Sequence, residues 1–411
     1  MRLSPNVLRM TKNIAITGTG AISALGHGVP ELWHNWTMSN SGITELSACW
    51  DRIMKTKLIA KCGDFSLDVE RHLIRKLDRC SQLALGAAQQ AWNQAEAPDY
   101  RSERIGVAIS TGIGGLETLR KGIIELETKD RIYPNTIPMS MPNCAAAAVS
   151  IWLNASGEIA SPVSACAGGA EAIALAARWI ADGDVDIAIA GGAEAIINVV
   201  GVRAFEALGA LSEGEVNQPQ PFGKLRNGFV LGEGAGAIVL ENSDFAINRG
   251  AKILGWILGC GSSADCYHMT ASRPCGDGAK QAMAKAIKAA NIDLNKICLI
   301  KAHATGTKGG DLAEMSALNS LWAGQEIKPI VIAPKSSIGH SISACGAIEL
   351  IMALLSLRSK IAPGLCHQYE IDLKLQLPFA ISHTELSGNT AICNSFGFGG
   401  KNQSIIIRAS N

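Results

Sequence analysis

The sequence predicts an α/β protein in which apolar strands alternate with helices and form a sheet covered on both faces. The first observation is a series of short, continuous apolar runs, at residues 13–18, 105–111 and 186–192, each typical of a strand buried on both sides. The second is that alanine-rich helical stretches occur among these runs, at residues 82–93 and 170–181. A strand, a helix and a second strand in this order are typical of a parallel, doubly covered sheet.

The second half of the chain repeats these elements. Apolar strands are predicted at residues 235–241, 253–260, 297–303 and 329–335, with helices at 278–290 and from Ser343 onward. The segment Ser343-Ala-Cys-Gly346 also resembles Ser164-Ala-Cys-Ala167. We therefore predict an internal duplication into an N-terminal half, residues 1–250, and a C-terminal half, residues 251–411. The two halves are expected to pack as one body, with both contributing to the active site.

Composition narrows the class of protein. Of the 411 residues 47% are hydrophobic and only 18% are charged, against about 25% in a typical soluble protein. This indicates a large core or a large buried subunit interface. The net charge of +1 gives no reason to expect nucleic acid or an anionic membrane as a partner. Without a long apolar run or a secretion signal, the expected location is cytoplasmic.

Several common site types are not supported by the sequence. The twelve cysteines form no C-x-x-C pair, so zinc-ribbon and thioredoxin-like sites are not expected. Gly18-Thr-Gly20 lacks the third glycine of a dinucleotide fingerprint, and a tight turn is the better interpretation. No Walker A sequence occurs, and we find no convincing G-x-S-x-G nucleophile elbow beside the candidate histidines.

One cysteine, Cys166, lies at a bend that leads directly into a helical pattern with Gly168 and Gly169 in its first turn. The thiolate is the nucleophilic form of cysteine, and a helix N-terminus favours negative charge, so the pKa of Cys166 is expected to be lowered. The alternative is a small buried cysteine at a tight corner. This segment alone leaves both interpretations open.

Two histidines favour the catalytic interpretation. His303 and His340 each closely follow an apolar strand, in turns of small residues, and Lys335 precedes His340. Ligands gather at such strand ends in α/β sheets, and imidazole N–H groups can stabilise an enolate or a thioester oxyanion. A thiol with two histidines and a lysine therefore indicates covalent thioester chemistry.

A glycine-rich loop near the C-terminus, residues 394–402, contains Phe396 and Phe398. It is predicted to be a mobile gate with backbone N–H groups turned toward a substrate oxygen. The alternative is the end of a hairpin with two packed phenylalanines.

Nearly the whole chain resembles the elongating β-ketoacyl-acyl-carrier-protein synthases, which are condensing enzymes of the thiolase superfamily. The motifs that carry the resemblance are Pro138-Met-Ser-Met-Pro-Asn143, Val163-Ser-Ala-Cys-Ala-Gly168, Gly228-Phe-Val-Leu-Gly-Glu-Gly-Ala-Gly236, Ala302-His-Ala-Thr-Gly-Thr307, Lys335-Ser-Ser-Ile-Gly-His340 and Gly397-Phe-Gly-Gly-Lys-Asn402. The resemblance implies a thiolase-like fold, with two similar halves in α-β-α-β-α layers, and a dimer. It also implies a decarboxylative Claisen condensation with malonyl-acyl-carrier protein in fatty acid or type II polyketide biosynthesis.

The resemblance also implies roles for individual residues. Cys166 would accept the acyl chain, and His303 and His340 would assist decarboxylation and stabilise the enolate. Lys335 and Glu314 would support the site. The residues implied to contact substrate are Thr305 and Thr307, at the phosphopantetheine arm, and Phe396 and Phe398, in the gate loop. No metal and no separate cofactor are expected, because the carrier protein brings the phosphopantetheine arm.

The chain departs from the family pattern at Ala304 and Ser343, where glycine is usual, and at Lys401, where threonine is common. The stretch Arg226-Asn-Gly-Phe-Val-Leu-Gly-Glu-Gly234 resembles ketosynthase alpha subunits of type II polyketide systems. The partner is therefore expected to be either a second copy or a cysteine-lacking chain-length-factor homologue.

Two alternatives remain at this point. A thiolase would use coenzyme A thioesters and a second cysteine, for which Cys345 and Cys393 are candidates. A non-catalytic subunit that determines chain length would need no nucleophile at all, which the presence of Cys166 argues against.

Overall fold

The computed structural model describes residues 14–46, 54–96, 100–213, 218–372 and 374–410. The helices in these ranges are α1 Val29–Thr37, α2 Arg71–Ile74, α3 Arg79–Ala95, α4 Leu116–Lys129, α5 Thr136–Ser140, α6 Cys144–Leu153, α7 Gly168–Asp182, α8 Val199–Ala207, α9 Ser243–Asn248, α10 Asp277–Ala290, α11 Lys308–Leu321, α12 Lys335–Ile338 and α13 Cys345–Ser359. The strands are β1 Ile14–Ile22, β2 Thr44–Glu45, β3 Leu58–Ala60, β4 Ile105–Ser110, β5 Ile159–Ala160, β6 Ile187–Glu194, β7 Leu231–Gly232, β8 Gly234–Asn242, β9 Gly255–Ala264, β10 Leu299–Lys301, β11 Ile330–Ile332, β12 Ile361–Ala362, β13 Thr384–Glu385, β14 Thr390–Phe396 and β15 Lys401–Ala409.

Ten strands form one large sheet in the order β11-β10-β14-β15-β9-β1-β8-β6-β4-β5. It consists of two five-stranded halves that meet where β1 pairs with β9. In the N-terminal half, β5, β4 and β6 are parallel, and β8 and β1 are antiparallel additions. In the C-terminal half, β11, β10 and β14 are parallel, and β15 and β9 are antiparallel additions. The two halves therefore share one topology, as expected of a duplicated fold.

The prediction of a parallel sheet was only half right, because each half of the sheet is mixed. In the C-terminal half the reason is the connection between strands. β14 and β15 are joined by the four residues 397–400. A connection this short can only return the chain to an antiparallel neighbour, whereas a parallel neighbour needs a crossover of a dozen residues or more.

Five layers follow from this arrangement. Helices α3 and α6 cover the outer face of the N-terminal strands, and α10 and α11 lie on the corresponding side of the C-terminal strands. Helices α7 and α13 contact each other in the middle, where α13 touches β8 of one half and β14 of the other. This is the predicted duplicated α-β-α-β-α architecture. The boundary between residues 250 and 251 stays a prediction.

Helix α13 forms the centre of the core. In the described part of the chain, the segment Ile342–Ser359 is the one helical stretch apolar and long enough to cross a membrane. It is 83% buried inside the fold, which is the environment of a core helix. Its composition is explained by this burial, and the predicted cytoplasmic location stays a prediction.

The strands that lead to the site are shorter than the sequence predicted. β10 ends at Lys301 instead of His303, and β11 ends at Ile332 instead of Lys335. Pro334 lies at the N-terminal end of the short helix α12, and proline is favoured at helix starts because its φ is already helical. Lys335 therefore begins a helix rather than ending a strand.

Candidate active site

Cys166 lies in a short 3₁₀ turn, Ala165–Ala167, immediately before helix α7. Ala165 has a φ of 46°, in the left-handed region that non-glycine residues seldom adopt. Gly397 of the gate loop packs so closely on this turn that a Cβ there would lie 2.6 Å from the carbonyl oxygen of Ser164. The cysteine is therefore held at a strained, tightly packed corner. The predicted bend at the start of a helix is confirmed.

His340 faces this cysteine from the C-terminal half of the chain. Its Nε2 lies 3.0 Å from the Sγ of Cys166. The backbone N–H of His340 donates to the carbonyl of Val230 at 2.8 Å, and its ring packs edge-on against Phe229, with 5.0 Å between ring centroids. Backbone and ring are thus both fixed, and one nitrogen is directed at the thiol.

His303 completes a group of three. Its backbone N–H and that of Ala304 donate to the two carboxylate oxygens of Glu314, at 2.8 and 2.7 Å. The imidazole centroids of His303 and His340 are 5.5 Å apart. The Cys166 sulfur, one ring nitrogen of His303 and one ring nitrogen of His340 all lie within 4.8 Å of one another. By distance alone such a group could also hold a metal ion, and the expected absence of a metal stays a prediction.

Burial dominates the electrostatics of this group. Burial raises the pKa of the Cys166 thiol well above its ordinary value, with nearby Cys345 adding to the rise. The ammonium of Lys335 and the backbone N–H of Phe398 act in the opposite direction but do not prevail. The expectation of a lowered cysteine pKa was therefore wrong, because the sulfur is too far from water for the helix N-terminus to compensate. The resting thiol is protonated.

Both histidines are neutral for the same reason. Burial, followed by the positive charge of Lys335, holds the pKa of His303 and that of His340 well below the ordinary imidazole value. A neutral imidazole has one N–H to donate and one nitrogen to accept a proton. His340 is therefore able to accept the thiol proton when the sulfur attacks.

Lys335 supports the histidines through the backbone. Its Nζ donates to the carbonyl oxygen of His303 at 2.6 Å and lies 3.5 Å from the Nδ1 of the same residue. Burial opposes its charge, but the carboxylates of Glu349 and Glu314 contribute to a pKa above the ordinary lysine value. The ammonium stays charged in the interior, beside the two neutral rings.

Sequence reasoning missed two charged residues behind the site. Glu349 on α13 forms an ion pair with Lys335 at 2.6 Å and accepts a hydrogen bond from Lys301 on β10 at 2.9 Å, and all three side chains are buried. A signal was present in the sequence: each of Lys301 and Glu349 interrupts an apolar run. A charged residue within such a run is rarely buried without a partner of opposite charge.

The turn after His303 carries the two threonines predicted to contact substrate. Their hydroxyl groups, on Thr305 and Thr307, lie 2.9 Å apart. Asp311 on α11 accepts from the backbone N–H of Gly306 at 3.0 Å and fixes the turn. Ala304, where the resemblance leads one to expect glycine, has a φ of 36°, in the left-handed region.

The glycine-rich loop, residues 394–402, is the end of the β14–β15 hairpin and lies against Cys166 and His303. Its role as a gate stays a prediction. The backbone N–H of Phe398 favours the thiolate of Cys166 and so acts to lower the pKa of that thiol, and the Phe396 ring lies 5.9 Å from the His303 ring, centroid to centroid. The Nζ of Lys401 lies 2.5 Å from a carboxylate oxygen of Glu171 on helix α7. The loop is therefore joined to the helix that follows the nucleophile.

The candidates for a second catalytic cysteine are placed differently. Cys345 is buried, and its Sγ donates to the carbonyl oxygen of Cys166 at 3.6 Å. Cys393 lies on strand β14, opposite Lys301. Neither forms part of the group of Cys166, His303 and His340.

Comparison with known proteins agrees with this geometry. The chain matches the model of the beta-ketoacyl synthase N-terminal domain over residues 11–246 and that of the C-terminal domain over residues 254–369. It is 35% identical to 3-oxoacyl-[acyl-carrier-protein] synthase 2 of Staphylococcus aureus strain N315, an alignment that covers 98% of this chain and 99% of the relative.

Solved structures give the same result. One is a type II PKS acyl-carrier protein in complex with its ketosynthase bound to the hexaketide. The similarity to this structure has a TM-score of 0.90 at 27% sequence identity and covers 97% of this chain and all of the matched chain. Another, the ishigamide ketosynthase/chain length factor, has a TM-score of 0.89 at 26% identity with the same coverage. The chain therefore belongs to the β-ketoacyl synthase family, whose members are acyl-transferring ketosynthases.

Proposed function

We propose that this member of the β-ketoacyl synthase family joins an acyl chain held on Cys166 to a malonyl unit delivered by acyl carrier protein. The observation that carries the proposal is the contact between the Cys166 sulfur and the His340 Nε2, at 3.0 Å, with His303 beside it. A thiol, a neutral base next to it and a second neutral imidazole are the groups that this two-stage reaction requires.

In the first stage the Cys166 sulfur attacks the thioester carbonyl of the acyl-carrier protein, and its proton passes to the Nε2 of His340. The carbonyl oxygen becomes an oxyanion, and the backbone N–H groups of Cys166 and Phe398 are the proposed donors to it. Collapse of this intermediate breaks the bond to the carrier sulfur, which leaves with the proton from His340. The raised pKa of Cys166 fits a proton that leaves only as the sulfur attacks.

In the second stage malonyl-carrier protein replaces the free carrier. Its carboxylate carbon–carbon bond breaks, carbon dioxide leaves, and the electron pair forms an enolate. N–H groups of His303 and His340 stabilise the enolate oxygen, a role that requires neutral imidazoles, consistent with their lowered pKa values. For His340 this role also requires that the ring proton has moved to Nε2 after the first stage, in which Nε2 was the acceptor. The enolate carbon attacks the acyl group on Cys166, and the sulfur leaves and takes up one proton. The product is a β-ketoacyl thioester on the carrier.

The substrate arm is proposed to enter along the turn that carries Thr305 and Thr307. Their adjacent hydroxyl groups lie between the catalytic His303 and the start of helix α11. Hydroxyl groups of this kind can donate to and accept from the amides of a phosphopantetheine arm. No cofactor beyond this arm is proposed.

The test uses the purified chain, an acyl-carrier thioester and malonyl-carrier protein labelled with carbon-13 at the free carboxyl carbon. The expected result is labelled carbon dioxide together with a β-ketoacyl-carrier product two carbons longer than the starting acyl chain. Condensation of two coenzyme A thioesters without loss of carbon dioxide would instead support the thiolase alternative. Acyl-chain binding without transfer to Cys166 would support the non-catalytic alternative.

A partner subunit is proposed on the face formed by α4, α5, α6 and β5. These neighbouring elements expose large apolar side chains, namely Leu119, Ile123, Ile124, Leu126, Ile137, Ile151 and Ile159. β5 is also an end strand of the large sheet. An apolar surface beside an open sheet edge is the usual form of a subunit interface.

The second subunit is proposed to be another copy of this chain or a cysteine-lacking chain-length-factor homologue. The similarity to a ketosynthase/chain length factor structure supports the second, and the exposed apolar face is the support for the first. The native mass of the chain expressed alone distinguishes them. An active homodimer would support the first, whereas an inactive chain that gains activity on co-expression with such a homologue would support the second.

A further inference from the structure

Lys301 is a completely buried lysine in the C-terminal half of the sheet. It is the last residue of β10, and its backbone pairs with Ile332 on one side and Cys393 on the other. A buried ammonium group is costly unless acceptors surround it. The hydrogen-bond acceptors around the Lys301 ammonium therefore indicate which parts of the site this residue positions.

Three oxygen atoms surround the Nζ of Lys301. They are the Oε2 of Glu349 at 2.9 Å, the backbone carbonyl of Asn394, and the hydroxyl of Ser395 at 3.5 Å. An ammonium has three N–H donors, so this environment matches its full capacity. One carboxylate, one carbonyl and one hydroxyl come from α13 and β14, two separate elements of the site.

The first of these contacts leads to His303. Glu349 divides its carboxylate between two lysines, with the Oε2 on Lys301 and the Oε1 on Lys335 at 2.6 Å. Lys335 in turn donates to the carbonyl of His303 at 2.6 Å. Lys301 therefore orients Glu349, which orients Lys335, which holds the backbone of the histidine.

The second contact leads to the gate loop. Asn394 precedes Phe396 by two residues on β14, and the Phe396 ring packs beside His303. The side chain of Asn394 also lies 3.5 Å from the Glu314 carboxylate that binds the backbone of His303. Lys301 thus acts on the groups that fix the backbone of His303, through Glu349 and through Asn394, but it does not contact the imidazole ring.

The charges give Lys301 a second effect. Lys335 on α12 and Lys301 on β10 are the cations that act on both histidines, and the sulfur of Cys166 faces His340 directly. Glu314 on α11, Cys345 and Glu349 on α13, and Cys393 on β14 are buried behind them and act on the two lysines. Without Lys301, Glu349 would neutralise Lys335 alone. The site would then have one positive charge fewer at the place where the enolate forms.

We propose that Lys301 is a positioning residue for the decarboxylation and condensation stage, acting through Glu349 and Lys335 on His303. This proposal rests on the function proposed above. It assigns Lys301 no contact in the first stage, because the attack of Cys166 uses the His340 ring and the backbone N–H groups of Cys166 and Phe398. At a pH where both histidines are neutral, the acylation rate is therefore expected to change little.

The test is Lys301→Met, which keeps the length of the side chain and removes its charge. The expected result is a loss of about tenfold or more in the kcat for release of carbon dioxide from malonyl-carrier protein. Acylation of Cys166, followed by intact mass, should stay within about threefold of the wild-type rate. Loss of the positive charge should also move the acid limb of the decarboxylation pH profile to higher pH, because the histidines then protonate more easily.

Arg249→Met provides the matched control. It removes the cation from Glu241, an equally buried carboxylate on β8 that takes no part in the site. Its unfolding temperature should fall as in Lys301→Met, while its decarboxylation rate and pH profile stay those of the wild type. The effect of losing a buried ion pair is thereby separated from an effect on chemistry.

Lys301→Gln, which keeps a donor for the Asn394 carbonyl, repeats the measurements if the methionine variant does not fold. Equal losses in both stages, or rates within twofold of wild type with an unmoved pH profile, would overturn the proposal. Failure of both neutral variants to fold would also overturn it, since the residue would then serve folding. A wild-type protein that releases no carbon dioxide would contradict the proposed function itself.

Discussion

The two halves of the molecule begin their central helices with the same strained turn, but only one turn carries the proposed nucleophile. In the N-terminal half the 3₁₀ turn Ala165–Ala167 leads into α7, and in the C-terminal half the turn Ile342–Ala344 leads into α13. The first residue of each turn has a left-handed φ, 46° at Ala165 and 40° at Ile342. By position in the turn, Cys166 therefore corresponds to Ser343.

The side chains at the two equivalent positions contact different groups. The sulfur of Cys166 faces the Nε2 of His340. The hydroxyl of Ser343 lies 2.6 Å from that of Ser110, which itself donates to the carbonyl of Pro162, so the Ser343 hydroxyl is the donor in that pair. One backbone conformation thus serves for chemistry in one half and for a buried hydrogen bond in the other. The difference teaches that the groups facing the turn decide its role.

The largest expected effect tests the cysteine in each half. Cys166→Ala should abolish condensation and leave no acyl adduct in the intact mass, because no other thiol faces the histidines in the described part of the chain. Cys345→Ala is the control from the start of α13 and should retain most of the activity. An adduct on Cys345, or activity in Cys166→Ala, would contradict the distinction between the two turns.

The next effect concerns the histidines that face Cys166 but not Ser343. His303→Ala and His340→Ala should each lower the condensation rate by about a hundredfold, the scale of one lost oxyanion donor. Circular dichroism should show both variants folded. His367→Ala removes a histidine that binds the carbonyl of Pro219 and should be close to wild type. Near-normal turnover in both site variants would refute the assigned roles.

A third test addresses the close packing between the two turns. A Cβ at Gly168 would lie 2.1 Å from the hydroxyl oxygen of Ser110 and 2.6 Å from that of Ser343. Gly168→Ala should therefore lower the free energy of unfolding by about 1–3 kcal/mol, the usual cost of overpacking. Gly309→Ala, where a Cβ would meet open space, should have no such cost. Equal thermal stability in the two variants would show that the turns can separate at little cost.

The last effect, similar in size to the third, depends on pH and on Glu194. This carboxylate accepts from the backbone N–H of Gly112 at 2.8 Å and from that of Ser343 at 3.4 Å, and burial raises its pKa to about 7. Between about pH 4.5 and 7 the folded protein keeps a proton that the unfolded chain releases, so this group makes stability fall as pH rises. Glu194→Gln should therefore gain about 1–3 kcal/mol relative to wild type between pH 4.5 and pH 8.

Unfolding midpoints of both proteins at pH 4.5 and pH 8 measure this gain. The buried histidines also respond to pH, but they are common to both proteins and cancel in the comparison. A difference between the two proteins that is the same at both pH values would contradict the assignment to Glu194.

The sequence located the candidate site residues more reliably than it described their surroundings. Cys166, His303, His340 and Lys335 were all found from their positions at strand ends and a helix start, and the structure brings them together. The apparent match of Cys345 to Cys166 was misleading, because the equivalent turns place Ser343 at the position of the nucleophile. The sequence repeat aligns Cys345 with Cys166, whereas the backbone turns align Ser343, two residues earlier, with Cys166.

By itself, the sequence determined the α/β class and the duplication of its elements, and it singled out Cys166 as the candidate nucleophile together with His303 and His340. These are properties of local patterns: apolar periodicity, small residues at turns and the position of a polar residue after a strand. Only the tertiary structure decided the antiparallel strands, the raised pKa of Cys166, the pairing of Ser343 with Ser110 and the bridge from Lys301 through Glu349 to Lys335. The physical reason is that burial and electrostatic contact depend on distance in space. The sulfur of Cys166 and the Nε2 of His340, 174 positions apart in the chain, meet only when both halves have folded around α7 and α13.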